Sequence, residues 1–97
     1  MEISIYSNTA TIKGNIKSIG DFQAIKSAID ALVLKNKSIV LLIPDSLSIT
    51  SSVIGYLNKL VLKDRVTIDM RVGNESLIDL LNDLNLTSTL NARRLKV

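Results

Sequence analysis

Histidine and cysteine are both missing from this chain of 97 residues. Without histidine there is no Ser-His-Asp or Cys-His arrangement, no usual general base near neutral pH, and no imidazole for a transition metal. Without cysteine there is no thiol nucleophile, zinc knuckle or disulfide framework, which fits a reducing compartment such as the cytoplasm. Aromatics are scarce too. Tyr6, Phe22 and Tyr56 are the only rings, so stacking on nucleobases has little to work with and no nucleic-acid partner is expected. The four glycines, Gly14, Gly20, Gly55 and Gly73, stand isolated and form no phosphate-cradling loop. The longest apolar run, Ile39 to Ile43, is five residues and stops at Pro44, far short of a membrane span or signal segment. Asp79 and Asp83 lie four apart on an expected helix, a like-charge spacing typical of an exposed face rather than a catalytic pair. These absences predict a non-enzymatic chain with no cofactor, no metal and no insertion into a membrane.

What is present is aliphatic. Apolar residues make up 46% of the chain and aromatics 3%, so a core must be filled by Ile, Leu and Val. A chain this short supports one core, so residues 1–97 read as a single domain. Twelve basic and nine acidic residues give a net charge of +3, scattered except for Arg93, Arg94 and Lys96, which read as a solvated terminus.

Ile3 and Ile5 alternate with polar neighbours, as do Ala10 and Ile12 after the polar stretch at residues 7–9, which predicts a hairpin closed by Gly14 and Asn15. Asp21 is placed to cap a first helix carrying Phe22, Ile25, Ile29, Leu32 and Val33 and ending near Leu34. Residues 38–43 are apolar on both alternating faces, as in a strand covered on each side or one within a parallel sheet. A second helix is expected from Ser51, with Ser48 or Thr50 as its cap, and a half-wet strand from Val66 to Val72. Asn74 or Ser76 caps a third helix carrying Leu77, Leu80, Leu81 and Leu84, and the last dozen residues read either as a short helix or as an edge strand around Leu95. This order predicts an α/β fold with a mixed sheet of about four to five strands and helices packed against it.

From about Thr9 onward the sequence resembles a STAS domain, the fold of the anti-sigma factor antagonists. Residues Thr11 to Ile16 resemble the family's strand ending in Gly-Glu-Leu, and Ile39 to Ile43 its central strand. Ile49-Thr50-Ser51-Ser52-Val53-Ile54-Gly55 resembles the signature Asp-Ser-Ser-Gly-Leu-Gly that opens the second helix, and Asn74 to Leu86 is similar to the penultimate helix. The resemblance implies a protein that docks on a kinase-like anti-sigma partner and is released when the serine matching Ser51 is phosphorylated. Thr50 stands where the family has Asp, Val53 where it has Gly, and Leu42 and Ile43 occupy the strand position that often carries another Asp. Either Thr50, Ser51 and Ser52 simply cap a helix or Ser51 is a regulated phosphosite.

The second helix also bears two apolar stripes, Ile54, Leu57 and Val61 beside Val53, Tyr56 and Leu60. Their combined arc exceeds the roughly 100° that a core-facing helix needs. The second stripe is covered either by a partner or by a neighbouring helix. The partner-contact residues expected on this reading are Ser46, Ser48, Thr50, Ser51, Ser52, Val53, Tyr56 and Leu60. A second role compatible with the resemblance is a constitutive subunit on the ATPase of a membrane transporter, including lipid transporters. Formation of a homodimer through the stripe or an edge strand is left open.

Overall fold

The computed structural model describes residues 1–95; Lys96, grouped above with Arg93 and Arg94, lies outside the described residues. The elements run β1 (Glu2–Tyr6), β2 (Thr9–Lys13), α1 (Ile19–Val33), β3 (Ser38–Ile43), α2 (Ser51–Leu62), β4 (Thr67–Val72), α3 (Glu75–Asp83) and β5 (Arg93–Arg94). They form an α/β domain with one five-stranded sheet in the order β1-β2-β3-β4-β5. The β1–β2 hairpin is antiparallel, and β2 to β5 are mutually parallel. Each parallel neighbour is reached through a helix. Right-handed crossovers of this kind put all three helices on the same face.

Burial follows that geometry. Ala10, Ile12, Ile39, Leu41, Ile43, Ile68, Met70 and Val72 alternate along β2, β3 and β4 and are buried under the helices. Their neighbours Thr9, Thr11, Val40, Leu42 and Asp69 are half-buried, and Thr67 and Arg71 are exposed. The continuous apolar run of β3 therefore marks a central parallel strand with one covered face, rather than a strand with a layer on each side. Ile25, Ile29 and Leu32 of α1, Val53, Leu57 and Leu60 of α2, and Leu77 and Leu81 of α3 complete the core. Leu80 and Leu84 of α3 are turned toward solvent.

The first helix starts earlier than expected. Ser18, not Asp21, is the cap: its hydroxyl accepts the Asp21 amide at 3.0 Å, while the Asp21 carboxylate accepts the amides of Ser18 and Lys17 at 3.1 and 3.0 Å. This reciprocal capping box satisfies backbone donors that have no partner inside the helix. Those amides hold the Asp21 carboxyl below its ordinary value of 3.8. At the far end of the described residues the edge strand forms and the short helix does not: hydrogen-bonded turns bring Leu90 into the core, and Arg93–Arg94 then pairs in parallel with Arg71 and Val72.

The second apolar stripe of α2 is covered by α1. Tyr56 meets the edge of Phe22 at a centroid distance of 6.2 Å, and its hydroxyl donates to Asp30 at 2.5 Å. Lys26 donates to the other Asp30 oxygen at 2.8 Å. The hydrogen bonds from Lys26 and then Tyr56 hold the Asp30 carboxyl below 3.8, and burial followed by the Asp30 hydrogen bond pushes the Tyr56 hydroxyl up from 10.0. Where β4 ends, Gly73 passes so near the Pro44 carbonyl that an added Cβ would overlap its oxygen, and the Gly73 amide donates to Ile43 at 2.9 Å.

Two outcomes follow from these contacts. Gly73→Ala forces the β3 and β4 ends apart and destabilises by about 2 kcal/mol or more in urea unfolding. Because Asp21 and Asp30 are depressed, their contribution is complete above 3.8 and is lost as pH falls through their folded values; because Tyr56 is raised, its contribution is complete below 10.0 and is lost at higher pH. Stability measured against pH therefore falls on the acid side, and Asp30→Asn flattens that fall.

Candidate functional site

The loop from Pro44 to Thr50 is fixed by short-range polar chemistry to the loop that follows β2. Gly14 donates its amide to Asp45 at 2.7 Å, Leu47 donates to the Asn15 side chain at 2.8 Å, and Ile16 donates to the Ser46 hydroxyl at 3.1 Å. The Ser48 hydroxyl donates back to the Ile16 carbonyl at 2.9 Å. Gly14 holds φ at +88°, a left-handed conformation that glycine adopts without the strain of a side chain, and this turns its amide toward Asp45.

Ser46 is the buried centre of this clasp, with no exposed surface. Besides the Ile16 amide, its oxygen accepts the Ser48 amide at 3.3 Å and donates to the Ser48 carbonyl at 2.7 Å, which uses its one donor and both lone pairs. Ile49 then anchors the loop in the core, and Thr50 caps α2 by accepting the Val53 amide at 3.2 Å. The Thr50 carbonyl takes the Ile54 amide, so the amides of Ser51 and Ser52 are left without intrahelical acceptors. Ser51 and Ser52 are both exposed. No acidic residue stands in the first turn of α2.

The eight residues expected to meet a partner thus divide. Ser51 and Ser52 face solvent, Ser48 and Thr50 are half-buried, and Ser46, Val53, Tyr56 and Leu60 are interior. The buried four are corrections to the expected contact set. Ser46 is consumed by the clasp, Val53 and Leu60 fill the core, and Tyr56 packs on α1. In exchange the fold brings residues beside Ser51 that spacing along the chain did not reveal. A cleft of about 100 Å³ between the starts of α1 and α2 is lined by Lys17, Ser18, Ile19, Phe22, Thr50 and Ser52. Ile19, which lines it, is 77% exposed, and Leu47 on the loop before α2 is 61% exposed. Their isolation in polar sequence was the signal that could have found them.

Among the described residues no cluster of three or more carboxylates could hold a metal ion, and no helix is long and apolar enough to cross a membrane. The fold and site together define a mixed-sheet α/β domain that presents a hydroxyl-rich helix start on a hydrogen-bonded platform. No family model matches the chain, and neither a curated protein nor a solved structure matches it.

The division between interior and exposed serines is measurable. Ser46→Ala strands the Ile16 amide in the interior and costs about 1–3 kcal/mol of unfolding free energy, whereas Ser51→Ala and Ser52→Ala stay within about 0.5 kcal/mol of wild type.

Proposed function

We propose that this chain is a STAS-type docking module of the cytoplasm, which binds a kinase-like anti-sigma partner through the start of α2 and is released by phosphorylation of Ser51. The observation that carries this reading is the setting of Ser51: an exposed hydroxyl in the first helical turn, beside free amides, directly after a loop held by four hydrogen bonds to its neighbour. A phosphate there meets the positive end of the helix dipole and no carboxylate in the same turn, so it is accommodated without unfolding the domain. Its added charge of about two units instead alters the surface that the partner must match. Ile19 at the cleft and Leu47 on the loop before α2 supply apolar contact, and Lys17 the nearby positive charge.

A second reading rests on what replaces the family's Asp and Gly. Thr50 works as a helix cap and Val53 as core, so both departures serve the fold without reference to a phosphoacceptor. This favours a constitutive subunit seated on the ATPase of a membrane lipid transporter through the same surface.

Affinity capture from the source cell separates the two. With wild type and Ser51→Asp as baits, a switch predicts a kinase-like partner on wild type, at least about tenfold less on the variant, and phosphate on Ser51 of the wild-type bait. An equal yield of one transporter ATPase on both baits, with Ser51 unmodified, contradicts the switch and supports the constitutive subunit.

A further inference from the structure

The two edges of the sheet are built differently. At one edge β5 is only two residues long and consists of exposed Arg93 and Arg94, a short charged strand of the kind that resists pairing with another chain. At the other, β1 is five residues long and pairs with β2 without a bulge, and Glu2 is its one charged residue. Four of the nine exposed large apolar side chains among the described residues gather there: Met1, Ile5 and Tyr6 on or beside β1, and Leu34 at the end of α1. Beside the strand, Ile5, Ala28, Ala31, Leu32 and Leu34 line a groove of about 430 Å³.

We propose that β1 is the interface of a two-fold symmetric homodimer, pairing antiparallel with β1 of a second copy so that the two sheets become continuous. The side-chain order of the strand, Glu-Ile-Ser-Ile-Tyr, carries the argument, because it is self-complementary about Ser4. Antiparallel pairing centred there matches all five residues. Ile3 faces the second copy's Ile5, Glu2 faces the second copy's Tyr6, and Ser4 faces its own equivalent.

Both sheet faces are satisfied in that register. Ile3 and Ile5 lie opposite the buried Ile12 and Ala10, on the side covered by helices, so the isoleucine pairs continue the apolar layer across the interface. Glu2, Ser4 and Tyr6 lie opposite Lys13, Thr11 and Thr9 on the open side, where the Tyr6 hydroxyl can donate to the Glu2 carboxylate of the second copy.

The backbone agrees. Ser7 has a φ of +55° within the two-residue connection between Tyr6 and Thr9, and such a tight hairpin makes its flanking residues a hydrogen-bonded pair. By alternation Glu2, Ser4 and Tyr6 direct their amides and carbonyls at β2, while Ile3 and Ile5 direct theirs outward. Ile3 and Ile5 are the pair brought face to face by pairing about Ser4. The two α1 helices then run antiparallel across the axis, where Ala28 and Ala31 give a low surface and Leu34 finds cover in the groove. That groove lies by Ser7 and Asn36, at the end of the sheet where β3 begins, whereas Ser51 follows the end where β3 finishes. Dimerisation thus leaves the docking surface free and presents it twice.

Ser4 gives a sharp test in a chain without cysteine. In the proposed register the two Ser4 residues form a non-hydrogen-bonded pair with Cα atoms about 4.5 Å apart, within reach of a disulfide. Ser4→Cys should therefore cross-link to a covalent dimer under mild oxidation, while Glu2→Cys, equally exposed but several residues from its symmetry mate, should not. Sedimentation of wild type should show a monomer–dimer equilibrium below about 1 mM, weakened at least about tenfold by Ile5→Lys with an unchanged circular dichroism spectrum. A monomeric wild type throughout that range, or equal cross-linking of the two cysteine variants, overturns the proposal.

Discussion

Ser46 is the one buried polar residue among the described residues, and its hydroxyl is the interior centre of the hydrogen bonds that join two loops. It accepts the Ile16 amide from the segment entering α1 and closes its own turn through Ser48, the segment entering α2. Burying a hydroxyl is unfavourable unless its hydrogen-bonding capacity is used, and here it is filled by backbone groups that would themselves be costly to bury unpaired. The starts of both helices are consequently set against each other, and the cleft between them follows from that placement. The polar clasp does at the sheet's end what the aliphatic core does beneath its face: it limits how the elements can be arranged.

The second helix divides its surface accordingly. Its sides are spent inside the domain, one on the sheet and the other, through Tyr56, on Phe22 and Asp30 of α1. Gly55, Lys59 and Leu62 reach solvent along its outer side, and its first turn is open at Ser51 and Ser52. A surface of this kind, small hydroxyls and free amides with the exposed Ile19 and Leu47 on the adjoining segments, provides little hydrophobic area and depends on complementarity of charge and hydrogen bonding. That is the regime in which a single phosphate has a large effect on binding while leaving the fold intact.

Much of the fold was legible because it rests on local periodicity. The alternation at Ile3, Ile5, Ala10 and Ile12 announced the hairpin, the five-residue apolar run announced the central strand, and the pairs Ser48 or Thr50 and Asn74 or Ser76 announced the starts of α2 and α3, where Thr50 and Asn74 are the caps. The capping of α1 was misread because Ser18 and Asp21 are both good caps, and the choice between them depends on where the chain leaves the Ser46 clasp. The candidate site was less legible. Ser46, Ser51 and Ser52 look alike in a polar stretch, and only contacts some thirty residues away along the chain, such as that from Ile16 to Ser46, decide which one is interior. Likewise, the width of the apolar arc on α2 reported that the helix is covered on two sides, but could not distinguish α1 from another protein.

The central claim is that the first turn of α2, with the adjoining α1 start, is the contact surface. Amide hydrogen exchange of the chain, alone and with the partner captured on it, tests this directly. The account predicts new protection at Leu47, Ser51, Ser52 and residues 17–20, with little change along the open face of the sheet. Protection confined to the strands of that face, with the amides of Ser51 and Ser52 exchanging as fast as in the free chain, would contradict it.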